Sequence, residues 1–231
     1  MPSMQAQVVE VIQIGTETAA IMDIPQKFMP EPGQYLPCQH PASEPILPAY
    51  LFRVASRQSK ITLGPLPAAW QPGDWIMFDS PQGKGFRLPQ SARRVGLLGL
   101  GVPPWRLLPL VESATDLGAS ISLFCEPPLP TESIHEVPSA VEVSPVSALQ
   151  DNLDWPDYLA VDVNLEDLAQ LSTLFGKTDL PFEGQVLIRT NMPCRGIGEC
   201  GVCAVKTRKG WRLVCTDGPV FPLTEVLNVA G

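Results

Sequence analysis

Histidine is almost missing from this chain: His40 and His135 are the only two in 231 residues. A His-based acid-base or nucleophilic centre is therefore not expected, and no serine or cysteine has a plausible adjacent base. Cations are also in short supply. Sixteen Lys and Arg stand against 24 Asp and Glu, a net charge of −8, which argues against nucleic acid as the main partner because phosphate binding needs a basic surface. There is no long apolar run. The most apolar window, Val95 to Val111, is broken by three prolines and Arg106 and falls short of a bilayer span, so no membrane span is expected. Met1 to Val11 alternates polar and apolar residues without a basic start or a continuous apolar core. No secretory signal is expected, and the cytoplasm is the expected location. Internal repeats are absent.

The chain is 45% hydrophobic, ample for packed cores in one large domain or two to three small ones. It also has six cysteines. In a reducing compartment, clustered cysteines are more often metal ligands or redox groups than disulfides. Four of them, Cys194, Cys200, Cys203 and Cys215, fall within 22 residues, separated by five, two and eleven residues. Gly196, Gly198 and Gly201 lie among them, so backbone amides can approach sulfur and donate hydrogen bonds. Plant-type [2Fe-2S] loops have four and then two intervening residues, one fewer than here in the first gap. Structural zinc ribbons show two x2 knuckles, and this loop has one. An iron-sulfur centre is the leading reading; a four-cysteine zinc site and unligated thiols remain open. Cys38 and Cys125 read as small buried apolar residues. Residues 186 to 215 carry Arg189, Arg195, Lys206, Arg208, Lys209 and Arg212 against Glu199 alone, a local +5 that leaves −13 for the rest. Such cations would stabilise an anionic thiolate cluster or guide a docking partner; an ordinary solvated hairpin is the alternative.

Three domains are expected. Residues 1–92 hold short β-like runs punctuated by Pro and Gly at close intervals, the pattern of a small antiparallel β-barrel. Residues 93–184 alternate strand and helix, starting with Val95 to Leu100 as a strand buried on both faces, and imply a small Rossmann-like α/β domain with a parallel sheet. A helix is expected over Pro103 to Glu112, and another over Leu165 to Phe175, capped by Asn164 and stopped at Gly176. Residues 185–231 begin with a strand, Gln185 to Thr190, that delivers the chain to the cysteine loop. A hairpin of Gly201 to Thr207 with Trp211 to Val214 then brings the cysteines together at its ends.

The cysteine loop and the following Cys215-Thr-Asp-Gly-Pro-Val-Phe221 resemble those of the electron-transfer subunit of class B dihydroorotate dehydrogenase, a branch of the ferredoxin reductase superfamily. Pro32-Gly-Gln34 resembles that family's barrel segment, Arg53-Val-Ala-Ser56 its Arg-x-x-Ser flavin motif, and Ser80-Pro-Gln-Gly-Lys-Gly-Phe86 the glycine turn after the barrel. Gly99-Leu-Gly-Val-Pro-Pro104 is similar to its nicotinamide-side glycine loop. The resemblance implies an FAD-binding barrel, an NAD(H)-binding α/β domain and a [2Fe-2S] cluster passing electrons to a separate FMN-containing catalytic subunit. That partner is dihydroorotate dehydrogenase-like, in pyrimidine biosynthesis, and the assembly is a hetero-oligomer. It further implies that Arg53 contacts the flavin phosphate, Ser56 the flavin ring, Gly83 and Gly85 give close backbone approach, Gly99 and Gly101 form the nucleotide loop, and Cys194, Cys200, Cys203 and Cys215 ligate the cluster. The cofactors would carry the electrons, so the chain is an oxidoreductase subunit that makes no bonds itself. Three departures count against NAD(H). A threonine is missing near Leu63-Gly-Pro-Leu66, leucines replace glycines at Leu97 and Leu98, and no Cys-Gly-Pro stands near Val161-Asp-Val-Asn164. A subunit serving another ferredoxin-linked oxidoreductase, or a non-redox interaction module with structural zinc, are the alternative functions.

Overall fold

The computed structural model describes residues 4–42, 48–54, 61–176 and 180–227. Its first six strands are β1 (Met4–Ile14), β2 (Glu17–Met22), β3 (Tyr35–Gln39), β4 (Ala49–Arg53), β5 (Thr62–Gly64) and β6 (Trp75–Phe78). They close into an antiparallel barrel in the order β1-β2-β5-β4-β3-β6, with β1 pairing to β6. Full closure leaves no open edge. Alternate side chains point inward, and Val8, Leu36, Leu51, Leu63 and Ile76 are completely buried in the interior.

Eight more strands and five short helices follow. The strands are β7 (Arg94–Leu100), β8 (Ser120–Glu126), β9 (Val141–Pro145), β10 (Tyr158–Asn164), β11 (Glu183–Arg189), β12 (Ala204–Thr207), β13 (Gly210–Leu213) and β14 (Val220–Pro222). The helices are α1 (Leu110–Asp116), α2 (Val146–Asp151), α3 (Ala169–Phe175), α4 (Val214–Asp217) and α5 (Leu223–Val226). A six-stranded sheet has the order β14-β11-β10-β7-β8-β9, parallel except for the antiparallel edge strand β14. The chain winds from β7 outward to β8 and β9, then crosses back to β10 and β11, so the point where winding reverses lies between β7 and β10. Open α/β sheets bind ligands in the crevice beyond the strand ends at that point. Both faces are covered, which is why β7, β8 and β10 read as continuous apolar runs. The 184/185 limit falls inside β11, so the strand that begins the cysteine segment also continues this sheet. β12 and β13 form the separate hairpin.

Two helices depart from expectation. Over Pro103 to Glu112 the chain forms a 3-10 turn, Pro104–Arg106, and α1 begins only at Leu110. Pro109 lacks an N–H and its ring obstructs a continuous ladder, so the segment splits there. Asn164 does not cap by accepting from the backbone; its Nδ2 donates to Asp167 Oδ2 at 3.3 Å, and the 3-10 turn Leu165–Asp167 precedes α3. Gly176 does stop α3, at φ +67°.

Asp157 ties the starts of β7 and β10 together. Its Oδ2 accepts from the Arg93 and Arg94 amides, both at 3.0 Å, and its Oδ1 pairs with Arg94 Nη2 at 2.7 Å. The Arg94 guanidinium and these amides hold its carboxyl below the usual range. A depressed folded value contributes stability above the unfolded value and loses it as pH falls. Asp157→Asn should cost about 1 kcal/mol at neutral pH, discounted for partial exposure. Chemical denaturation should show that difference fading from about pH 4 downward.

Candidate functional site

β11 ends at Arg189, and Thr190 to Pro193 lead directly into the cysteine loop. The loop is made by turns that need left-handed backbone: Gly196, Gly198 and Gly201 have φ of +82°, +84° and +69°. Arg195, the additional residue of the first spacing, also stands at φ +57°, the one non-glycine with positive φ among the described residues. Its Nη2 donates to Gln39 Oε1 of β3 at 2.9 Å, a tether that helps hold this conformation.

The loop is fastened to the barrel at several points. Tyr35 donates its hydroxyl to the Cys215 carbonyl at 3.0 Å, and Tyr50 donates to the Met192 carbonyl. The two rings meet edge to face, centroids 5.3 Å apart. Gly196 lies so close to Gln82 and Tyr35 that a Cβ there would meet Gln82 Oε1 at 2.6 Å. On the C-terminal side, Lys84 donates its amide to the Gly218 carbonyl at 2.6 Å. The space beside Gly83 is filled by Pro219 and that beside Gly85 by the Pro32 carbonyl. Both glycines thus bring the barrel exit against neighbouring backbone, one of them against the segment just after Cys215.

Cys203 and Cys215 are buried, with Sγ atoms 3.3 Å apart. Cys194 is near enough to Cys200 and Cys215 for their thiols to influence one another, and Cys200 is exposed. Two thiolates at ~2.3 Å on one tetrahedral metal lie ~3.7 Å apart, close to the Cys203 to Cys215 separation. Among the described residues no three His, Cys, Asp or Glu side chains are placed to hold a single metal ion. Backbone N–H groups, first that of Gly198 and then those of Cys200 and Gly196, pull the Cys194 thiol down to about 6, whereas burial pushes Cys215 up to about 12 with Cys203 and Cys194 adding to it. Cys38 and Cys125 lie inside the barrel and the sheet, and burial raises both thiols, Cys125 to about 12. Of the cations near the loop, Lys209 pairs with Glu225 at 2.6 Å, and Arg189 belongs to the network below. Ile197 and Val202, between the cysteines, are exposed, as is Trp211 on β13.

A cavity of about 410 Å³ opens beside the loop, between the barrel and the C-terminal ends of β10 and β11. Tyr50, Phe52 and Pro65 line its barrel side, and Arg106, Arg189 and Met192 its sheet side. Behind those arginines lies a charge network that sequence reasoning missed. Arg106 Nη1 is 3.3 Å from Glu17 Oε1 and 3.8 Å from Asp162 Oδ2; Arg189 Nε is 2.9 Å from Asp162 Oδ1 and its Nη1 3.5 Å from Glu17 Oε1. Asp162 is fully buried and Arg106 is 2% exposed. Burial pushes the Asp162 carboxyl up, opposed by Arg189 and Arg106. Its signal was present: a carboxylate in the apolar strand Tyr158–Val163, and a lone arginine in the Val95 to Val111 run.

Arg53 lies on the adjoining strand end, with Nη2 2.8 Å from Glu112 Oε2 of α1 and, among the described residues, a buried Nε lacking a hydrogen-bond partner. Ser56 lies outside the described residues. The glycine loop is packed rather than open: a Cβ at Gly99 would meet the Val102 carbonyl at 2.8 Å. Gly101 donates its amide to the Glu126 carbonyl at 2.6 Å, and Asp167 Oδ2 would lie 2.9 Å from a Cβ on Gly101. Pro103 and Pro104 have no N–H to offer.

The comparisons with known proteins agree with this architecture. Residues 190–227 match the family model for the iron-sulfur cluster binding domain of dihydroorotate dehydrogenase B. The electron transfer subunit of dihydroorotate dehydrogenase B (NAD(+)) from Desulforamulus reducens is 25% identical over 202 residues, 78% of this chain and 74% of that protein. Sulfhydrogenase 1 subunit gamma of Pyrococcus furiosus is 21% identical over 254 residues, 90% of this chain and 85% of that one. The solved NADH-dependent reduced ferredoxin-NADP oxidoreductase superposes with a TM-score of 0.72 at 18% identity, covering 95% of this chain and 88% of that chain. The resemblance seen in the sequence holds, and the fold is ferredoxin reductase-like.

Gly198 is a sensitive test of the loop. Its φ of +84° and the Thr216 Cγ2 atom 3.0 Å from a built Cβ make Gly198→Ala unfavourable in two ways. Thermal denaturation should show a loss of about 1–2 kcal/mol, and the Cys194 thiol should react more slowly with an alkylating probe at neutral pH as its amide donors move away.

Proposed function

We propose that this chain is the electron-transfer subunit of a two-component oxidoreductase, holding a [2Fe-2S] cluster on Cys194, Cys200, Cys203 and Cys215 and the ring of FAD in the adjacent cavity. The observation that carries the reading is that the cysteine loop starts directly at the cavity wall, with Cys194 two positions after Met192, and is pinned to the barrel through Tyr35 and Tyr50. The donor set suits the cluster, since two iron atoms take four thiolates and the Cys203 and Cys215 sulfurs already lie 3.3 Å apart. The cavity suits a flavin, with aromatic side chains on one wall and the arginines Arg106 and Arg189 on the other. FAD supplies the exchange between paired and single electrons, and the cluster supplies single-electron transfer.

The protein's own residues fix the separation of the two groups and exclude water. Tyr35 and Tyr50 hold the backbone on both sides of the loop. The amides around Cys194 donate to its sulfur, which favours the thiolate that a metal requires. Cys200 lies at the exposed rim, flanked by Ile197 and Val202, a place for a partner's surface to cover. An FMN-containing, dihydroorotate dehydrogenase-like catalytic subunit is the leading partner, with the pair working as a hetero-oligomer in the cytoplasm.

A second reading concerns the electron source. With the Gly101 amide bonded to Glu126 and the Asp167 carboxylate at the loop, a dinucleotide pyrophosphate meets a negative charge where it needs free N–H groups. This favours reduction by a protein carrier such as a ferredoxin, and a partner oxidoreductase of another kind.

Anaerobic purification should yield about two iron and two acid-labile sulfide per chain together with FAD. Cys203→Ser and Cys215→Ser should each abolish the cluster's visible absorbance. A colourless protein with stoichiometric zinc would overturn the proposal. Added NADH should leave the native spectrum unchanged while a low-potential donor bleaches it; rapid bleaching by NADH would overturn the second reading alone.

A further inference from the structure

Two guanidiniums, those of Arg106 and Arg189, stand on the cavity's sheet wall. Arg106 is 2% exposed, and among the described residues Arg106 Nε and Arg189 Nη2 are buried without a hydrogen-bond partner. Leaving such donors unmet costs about 1–3 kcal/mol each, and native structures rarely do so without a reason. The two carboxylates of the network do not meet these atoms. Glu17 and Asp162 contact Nη1 of Arg106 and Nε and Nη1 of Arg189, and neither lines the cavity. Of the four network residues, Arg106 and Arg189 line the cavity. Glu166 is the one carboxylate among the lining residues, and Asn164, Thr190 and Asn191 are neutral. The opposite wall is aromatic, with Phe52 also packed under Arg106, whose Cζ is 5.3 Å from the ring centroid.

We propose that Arg106 and Arg189 form an anion-stabilising wall for the pyrimidine edge of the flavin ring, and that this chain thereby raises the flavin's reduction potential. The inference rests on the reading that the cavity takes the FAD ring. Uptake of two electrons and one proton turns a neutral ring into one carrying a single negative charge on that edge. Fixed guanidiniums in a site sheltered from water favour that charged product and resist the second proton. The Glu17 and Asp162 carboxylates keep both arginines in place, so the wall is preorganised before any charge arrives. Arg189, at the end of the strand that runs into the cysteine loop, couples this tuning to the cluster's position. Both arginines are positioning and electrostatic residues and transfer nothing themselves.

The test uses the full chain loaded with FAD and a potentiometric titration of the flavin absorbance. Arg189→Met should shift the ratio of reduced to oxidised flavin at a fixed potential at least tenfold toward oxidised, about 30 mV for a two-electron couple. Arg189→Lys should recover most of that shift, which a merely structural role would not demand. In the wild type, the flavin potential should change by about 30 mV per pH unit from neutral pH down to about pH 5.5, one proton per two electrons, where a neutral reduced ring would give about 59 mV. That slope decides the matter if Arg189→Met does not fold. An unchanged potential in an Arg189→Met protein that still holds FAD, or the steeper wild-type slope, would overturn the inference while leaving the flavin reading standing. Failure of the wild-type chain to bind FAD at all, measured by calorimetry, would remove both.

Discussion

Two guanidiniums and two carboxylates meet at the seam between barrel and sheet, and each comes from a different stretch of chain: Glu17 from β2, Arg106 from the 3-10 turn after the glycine loop, Asp162 from β10 and Arg189 from the end of β11. Burying such charges is costly, and only mutual pairing makes it tolerable. Removing one partner leaves an uncompensated charge and is worth about 3–5 kcal/mol in buried pairs elsewhere. The network therefore fixes how the sheet sits on the barrel. It also fixes where β11 ends, and with that the start of the cysteine loop.

From that anchor the cavity and the cysteine loop follow by short connections. One residue, Pro193, separates Met192, on the cavity wall, from Cys194. Tyr35 and Tyr50, stacked edge to face inside the barrel end, hold the carbonyls of Cys215 and Met192. The loop's glycines allow turns that aim amides at the Cys194 sulfur. Electron transfer requires no moving part in such an arrangement; it requires two redox groups at a fixed separation, sheltered from water.

Much of this was legible in the sequence because the relevant patterns are local. Closely spaced Pro and Gly with short β-like runs announced the barrel, a double-sided apolar strand announced the sheet, and cysteine spacing announced the centre. The helix over Pro103 to Glu112 was less legible, because Pro109 splits it into a 3-10 turn and a later α-helix. The surroundings of the glycine loop were not legible. Around Gly99-Leu-Gly101 the Val102 carbonyl and the Asp167 carboxylate pack closely, and the Gly101 amide donates to the Glu126 carbonyl. A short motif specifies which backbone shapes are possible, and distant residues decide whether the resulting space is open.

The sequence by itself determined the barrel, the α/β layer and the four clustered thiols, since each depends on composition or on neighbours a few residues apart. Only the tertiary structure decided that Asp162 and Arg106, isolated charges in apolar segments, would find each other and recruit Glu17 and Arg189. It likewise decided that Tyr35 and Tyr50 would grip a loop some 140 to 180 residues away. The physical reason is the same for both. A buried charge or hydroxyl must be satisfied by whatever the fold brings within about 3 Å, and that proximity is a property of the packed chain.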